Sequence, residues 1–135
     1  MSKYYINEVK VYLAIKGFEC EHTEITKILE VEPNEIWKKG ELISKPPCTL
    51  RCENNGWAYE IVRNDVIYVQ EMIDEVIDIF RDKADNFKKL PKNSYIYLEI
   101  VPCLKKGMPS IAFSKRNIDF LYKIGAEIDF DMYGL

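Results

Sequence analysis

The sequence predicts an α+β fold, a single mainly antiparallel sheet with two or three helices packed on one face, in the order β-α-β-α-β-β-α-β. Several short segments alternate apolar and polar residues, which is the period of a half-buried strand. One long segment instead repeats its apolar residues at helical spacing. Each predicted helix has one apolar stripe, and only the apolar face of the sheet is large enough to cover these stripes. The 135 residues make one ordinary domain, placed at residues 1–135.

The first predicted element is a strand over residues 5–16, which Gly17 ends. Its apolar residues stand at every second position, at Val9, Val11, Leu13 and Ile15. A short helix follows over residues 23–30, with Thr23 as its N-cap. Pro33 cannot continue that helix. Residues 34–55 are rich in turn formers, which predicts one turn of helix ending at Gly40 and then a long loop with a short strand inside it.

A strand over residues 57–62 leads into one long predicted helix, which opens at Asn64 or Asp65 and stops at Pro91. Acidic residues fill its first half, and Lys88-Lys89 stand at its end, an order that suits the helix dipole.

The last third of the chain predicts two strands, a helix and a final strand. Tyr95 to Val101 is a strand, the segment LKKGMP is a hairpin-like turn, and residues 110–113 form a short strand. Ser114 is the N-cap of a third helix that turns Ile118, Leu121 and Tyr122 inward, and Gly125 is its terminating residue. The final strand covers residues 127–132.

Composition and charge exclude several functional classes. The formal net charge is −3, whereas a protein that neutralises phosphates is normally basic, so we expect no nucleic-acid partner. No apolar run has the length of a membrane span, and the N-terminus lacks the continuous apolar core of a signal peptide. We therefore expect a cytoplasmic protein whose four cysteines are thiols.

The final strand carries an acidic row, which raises the question of a functional site. Ile128, Phe130 and Met132 should face the helices, so the carboxylates at the alternate positions should lie on the opposite face of the sheet. The same alternation of side chains along the other strands places further residues on the face opposite the helices. The predicted binding surface comprises Tyr12, Tyr95, Tyr97, Glu99, Glu127, Asp129 and Asp131, with Lys10 and Lys16 nearby.

Three interpretations of this surface stay open. It is the solvated side of an antiparallel sheet, or a recognition surface, since the chain has nine tyrosines and tyrosine is enriched in binding sites. The third is an enzyme or ligand site, because paired carboxylates perform acid–base chemistry or hold a hard cation. Against the third, side chains two apart on a strand are roughly 7 Å apart, and no histidine or glycine-rich loop accompanies them.

Other candidate sites are weaker, and we expect no cofactor. Cys20 and His22, together with Cys48 and Cys52, have the right chemistry for zinc, but not the spacing of a standard zinc knuckle. No cysteine stands at a helix N-terminus beside a base, and no phosphate-binding glycine loop exists. We therefore assign no catalytic residue and no metal ligand.

Two motifs resemble a known family. The stretches TEITKILEVEPNEIWKKGE and PSIAFSKRNIDFLYKIGAEIDFDMY, with WAYE between them, are similar to the bacterial domain-of-unknown-function family numbered 4279. Glu30 departs from the pattern, which has glycine there, so that a turn is made differently or the helix runs one residue longer. The matching positions include Ile25, Thr26, Leu29, Pro33, Trp37, Lys39, Gly40, Leu121, Gly125, Ala126, Asp129, Asp131 and Tyr133.

The resemblance implies a small bacterial cytosolic domain without an agreed activity. By analogy with other small acidic stand-alone domains, the resemblance implies an immunity or toxin-neutralising protein. The preferred expectation is a non-enzymatic interaction protein that binds another protein, either a toxin or a copy of itself, through the open face. The alternative is a small enzyme or ligand-binding domain that uses the acidic row.

Overall fold

The sheet is built around strand β1 (Ile6–Lys16), which forms where the alternating pattern predicts it. The computed structural model describes residues 5–42 and 50–134. On its two sides β1 pairs antiparallel with β3 (Gly56–Asn64) and with β4 (Tyr95–Lys106). Strand β2 (Glu35–Trp37) pairs antiparallel with β3, while β5 (Glu127–Phe130) and β6 (Tyr133–Gly134) pair in parallel with successive parts of β4.

The order β2-β3-β1-β4-β5, with β6 beside β4, makes a six-stranded mixed sheet over the described ranges. The predicted α+β class is confirmed. The parallel pairs follow from the connection: α3 (Lys115–Ile124) crosses between β4 and β5, and such a helical crossover returns the chain in the same direction.

The helices bury their apolar stripes against one face of this sheet. They are α1 (His22–Leu29), α2 (Val69–Phe80) and α3, and a 3₁₀ segment (Arg81–Lys89) continues α2. The odd-numbered residues of β1 from Val9 to Ile15 are fully buried beneath them, together with Leu98 and Ile100 of β4. Trp57 of β3 is also fully buried, and its indole N–H donates to Thr26 Oγ1 of α1 at 3.0 Å. This bond fixes α1 over the core and satisfies the one polar group of the indole.

The long predicted helix differs from the observed one at both ends. It begins at Val69, because the preceding residues are held out of helical geometry: the Asn7 side chain bonds both the N–H and the C=O of Val66 at 2.8 and 3.0 Å. Asp65 has a φ of 55°, which also stops a helix from starting there. Towards the other end, the chain tightens into the 3₁₀ segment and leaves helical geometry at Lys83.

Three assignments around the strands were wrong. Glu35–Trp37 is strand β2 and not a turn of helix, since the three residues pair with Ala58, Trp57 and Gly56. Strand β4 runs on to Lys106, through half of the predicted LKKGMP turn. Of the predicted strand at 110–113, the structure has only one bridge, between Ser110 and Tyr68.

The caps of α3 are confirmed, but its inward face is rotated from the prediction. Ser114 Oγ accepts the N–H of Asn117 at 3.1 Å, and Gly125 ends the helix with a φ of 72°. The buried residues are Asn117, Phe120, Leu121 and Ile124, whereas Ile118 and Tyr122 are exposed. These four buried positions have the i, i+3, i+4, i+7 spacing of one helix face, and Ile118 and Tyr122 lie outside it.

The apolar side of the last strand is less covered than predicted. Ile128 and Phe130 lie opposite Leu98 and Ile100, on the helix side, yet Phe130 is 50% exposed. Met132 is also exposed. Strand β5 stands at the edge of the sheet, where its side chains have neighbours on only one flank. In the part of the chain that the structure describes, no helix is long and apolar enough to cross a membrane.

Candidate functional site

The candidate site is the sheet face opposite the helices, here called the open face. Strand register decides which residues belong to it. Tyr12 lies between Glu60 of β3 and Glu99 of β4, and Glu99 in turn lies beside Asp129 of β5. In the neighbouring row Ala14 stands between Ala58 and Tyr97, and Tyr97 lies beside Glu127.

An aromatic cluster occupies the centre of the open face: Tyr12, Trp37, Tyr95 and Tyr97, packed over Ala14 and Ala58. The rings contact one another, with centroids 6.1 Å apart for Tyr12–Tyr97 and 5.4 Å apart for Tyr95–Tyr97. Both alanines are buried, and Tyr97 is only 6% exposed. Small residues in two central strands thus leave room for the large rings to pack over them.

Trp37 reaches this cluster because Gly56, its partner across the β2–β3 pair, has no side chain. A Cβ atom at Gly56 would overlap the indole ring of Trp37. The glycine is therefore required for close approach, and any larger residue there would displace Trp37.

Lys16 covers the tyrosine end of the aromatic cluster. Its Nζ lies 4.8 Å from the ring centroid of Tyr95 and 5.2 Å from that of Tyr97. Both distances are within the range of cation–π attraction. Within the described ranges no carboxylate oxygen lies within 4.0 Å of this ammonium group, so the rings are its main partners.

Carboxylates surround the aromatic cluster and outnumber its cations. Over the strands that the structure describes, register places six on the open face, against three lysines, Lys10, Lys16 and Lys106. Lys10 is 4.0 Å from Glu60, a long ion pair, and its charge also acts on Glu99. The six are Glu8, Glu35, Glu60, Glu99, Glu127 and Asp129.

The negative charge of these carboxylates contributes to raised pKa values of neighbouring groups. The pKa of Glu99 is raised, first by partial burial and then by the charges of Asp131 and Asp129. A hydrogen bond to Glu127 raises the pKa of Tyr95 to about 12, and burial together with Asp129 raises the pKa of Tyr97 to about 12. A further tyrosine, Tyr133, donates to Asp131 Oδ2 at 2.9 Å, which raises its pKa as well.

The structure brings most of the sequence-predicted surface together. Tyr12, Tyr95, Tyr97, Glu99, Glu127 and Asp129 all lie on the open face. Asp131 follows β5, where its N–H donates to the Ile100 carbonyl at 3.0 Å and its charge acts on Glu99. Sequence reasoning missed Trp37, because it placed the residue in a helical turn. It also missed the two alanines, whose small size within strands was the available signal.

The proposed zinc ligands have other partners. His22 Nε2 is 2.8 Å from the Trp37 carbonyl oxygen, and its ring packs edge-on against Phe18. The backbone of Cys52 pairs with Gly40 and Glu41, while burial raises the pKa of the Cys20 thiol. Cys48 lies outside the described residues. Over residues 5–42 and 50–134, no group of three or more His, Cys, Asp or Glu side chains is placed to hold a metal ion.

The motif residues divide into structural positions and open-face positions. Thr26 bonds Trp57, Gly40 has a φ of 86°, and Gly125 terminates α3, so each has a structural explanation. Pro33 follows α1 and is partly buried. Tyr133, like Trp37, belongs to the open face, since it pairs with Cys103 of β4.

Comparison with known proteins gives one match. The family model described as "Domain of unknown function (DUF4279)" matches residues 7–135, nearly the whole chain, which confirms the resemblance drawn from the motifs. No curated protein and no solved structure matches the chain.

Proposed function

Because the chain belongs to the DUF4279 family, a domain of unknown function, we propose its role from the geometry of the open face: it is a non-enzymatic surface that binds a basic protein. The observation that carries this proposal is the aromatic cluster inside its border of carboxylates. Tyrosine and tryptophan supply contact area at small entropic cost, and the acids supply steering and specificity.

Charge favours one of the partners that the sequence left open. Two copies placed face to face would oppose six carboxylates with six more, and the three lysines of each copy are too few to compensate them. Like charges brought together at an interface are unfavourable. The open face therefore suits a cationic partner better than a second copy of itself, and a basic toxin neutralised by this protein is the sharpest form of the proposal.

The alternative of an acid–base enzyme has less support. Glu99 and Asp129 are direct neighbours, and a raised pKa on one of two carboxylates is a feature of acid–base sites. However, four clefts of roughly 210–400 Å³ lie away from this pair of carboxylates. They are found along the 3₁₀ segment and α3, beside the ion pair of Arg63 with Glu75, and around His22. A substrate is normally held in a concave site, and this pair lies on a sheet surface.

Charge reversal on the open face tests the proposal. The variant Glu127→Lys/Asp129→Lys is compared with Asp82→Lys/Asp119→Lys, which makes the same change in net charge on the helix side. Each protein is immobilised and exposed to lysate of the native host at low and at high salt. Captured proteins are identified by mass spectrometry, and their affinities are measured with purified partner.

We expect wild type and the helix-side control to retain a basic partner that high salt releases, and we expect the open-face variant to bind it at least tenfold more weakly. Equal affinity for the open-face variant and the control would contradict the proposal. So would a partner whose binding does not depend on salt.

A further inference from the structure

The strongest observation beyond this proposal is that the chain already places a cation on its own aromatic cluster. The Lys16 ammonium is held by the rings of Tyr95 and Tyr97, with no carboxylate in contact among the residues that the structure describes. Glu127 of β5 lies directly beside Tyr97 in the strand register, and a hydrogen bond with Glu127 is the first cause of the raised pKa of Tyr95. The tyrosine rings, which attract a cation, therefore lie next to the Glu127 carboxylate, which could also bind one. Lys16 contacts only the rings.

Lys16 is able to leave this position without disturbing the sheet. It is the last residue of β1, it is partly exposed, and its cross-strand neighbour on one side is Gly56, which offers no side chain to hold it. An exposed cation–π contact is weak compared with a hydrogen-bonded ion pair. A competing cation that also bonds a carboxylate would displace the ammonium group.

An arginine side chain fits both parts of this arrangement better than lysine does. Its planar guanidinium stacks on an aromatic ring, and its fork of N–H donors matches a carboxylate. Glu127 accepts from Tyr95 and still has acceptor positions left, since an ionised carboxylate has about four. The guanidinium is also more weakly hydrated than an ammonium, so it loses less on leaving water.

We infer that the open face receives an arginine side chain of its partner on the rings of Tyr95 and Tyr97, bonded to Glu127, at the position that Lys16 occupies in the free protein. This inference rests on the proposed function and names the chemistry of the partner. Lys16 then acts as a resident substitute that keeps the rings covered until an arginine replaces it.

The test uses a short peptide probe, acetyl-Gly-Arg-Gly-amide, with its citrulline counterpart as the neutral control. Binding is followed by NMR on the full chain. We expect the arginine peptide to shift the ring signals of Tyr95 and Tyr97 and the amide of Glu127, and the citrulline peptide to leave them unchanged. Signals that move only elsewhere on the molecule would overturn the inference.

Two matched variants separate specific displacement from general charge. Lys16→Met removes the resident cation and keeps its apolar stem, so the affinity for the arginine peptide should rise at least threefold. Lys10→Met makes the same charge change on the same face, away from the two rings, and should raise the affinity by less than half of that factor. Glu127→Gln should lower it at least threefold. Equal gains for both lysine variants would overturn the inference.

The outcomes also separate the inference from the proposed function. If a basic partner binds the open face but Lys16→Met and Glu127→Gln bind the arginine peptide as wild type does, the inference fails and the proposed function stands. If the arginine peptide binds as expected while open-face charge reversal leaves partner binding unchanged, the proposed function fails, and the inference fails as a description of the partner.

Discussion

At the scale of single residues, Glu30 holds a backbone conformation that its side chain does not favour. It ends α1 with φ 58° and ψ 32°, and its N–H donates to the Thr26 carbonyl at 2.7 Å. The left-handed region costs a non-glycine residue roughly 1 kcal/mol. The family pattern has glycine at this position, and the structure supplies the reason.

We therefore predict that Glu30→Gly stabilises the protein. The gain in backbone energy is offset by two weak exposed contacts of the carboxylate, with Lys83 at 3.6 Å and with Asn86 at 3.3 Å. Exposed pairs of this kind contribute a few tenths of a kcal/mol, so the net gain should be about 0.5 kcal/mol. Urea denaturation measures it. Glu30→Ala is the control, because it loses the contacts and keeps the strain; a glycine variant less stable than the alanine variant would refute the explanation.

Tyr95 provides a second prediction at this scale, based on its ionisation. Its hydrogen bond to Glu127 favours the neutral phenol and raises its pKa to about 12. Glu127→Gln removes the carboxylate charge, so the pKa of Tyr95 should fall towards 10 in a spectroscopic titration. Asp119→Asn, on the helix side, should leave it unchanged. A pKa that stays near 12 in the Gln variant would exclude Glu127 as the main cause.

The sign of the related stability change follows from linkage. The pKa values of Tyr95 and Tyr97 are about 12 in the folded state, above the ordinary value of 10. The stability that these shifts contribute is therefore complete below pH 10 and is lost as the pH rises from 10 to 12. Deprotonation of these two tyrosines should therefore contribute to unfolding at alkaline pH.

At the scale of elements, a polar network joins α2, the 3₁₀ segment and α3. Asn117, which is only 1% exposed, donates to Asp74 Oδ1 at 2.6 Å and accepts from Arg81 Nη2 at 2.7 Å. Arg81 also donates to Asp78 and lies against the Phe120 ring. One buried amide therefore fixes the position of the third helix relative to the second.

Asn117→Ala should destabilise the protein by roughly 2 kcal/mol, since it removes two hydrogen bonds between a buried amide and charged side chains. Asp74→Ala should cost much less in the Asn117→Ala background than in wild type, because the two residues act through one network. Chemical denaturation of the four proteins of this cycle measures the coupling. Asp119→Ala, an exposed change on the same helix, is the control. Additive effects of the two substitutions would show that the network does not couple the helices.

Helices and strands that are encoded by residues close together in the sequence were predictable. Element boundaries that depend on contacts with distant residues were not. The alternation in β1, the Ser114 cap and the terminating Gly125 are all visible within a few residues. The start of α2, by contrast, is delayed by Asn7, which is 59 positions away in sequence from Val66. Strand β2 is too short to show a period, and it exists because it pairs with β3.

At the scale of the whole molecule, the same distinction applies to the candidate site. Side-chain parity predicted which face would hold the tyrosines and acids, because the period of a strand is local. The burial of Tyr97, the covering of the rings by Lys16 and the presence of Trp37 depend on which strands are neighbours. Strand order is set by the global packing of helices on the sheet, which no short segment encodes.

The topology also predicts how stability is distributed through the molecule. Strand β1 pairs along both edges, with β3 and with β4, whereas β2 and β5 stand at the ends of the strand order. Separating β1 from its neighbours would split the sheet and expose the core residues Val11 and Leu13. Opening an edge strand disturbs only one pairing. Amides in β1 should therefore exchange with solvent only through global unfolding.

Native-state hydrogen exchange, followed residue by residue in increasing denaturant, tests this expectation. Amides of Val11 and Leu13 should report the full free energy of unfolding and follow the global denaturant dependence. The paired amides of β2 and β5 should exchange through local opening, at free energies lower by roughly 2 kcal/mol or more. The Ser114-capped helix α3, which contacts the 3₁₀ segment and α2, should lie between these limits. Protection in β5 equal to that in β1 would mean that the edge opens only with the core, and that the carboxylates of the open face are held as rigidly as the centre of the sheet.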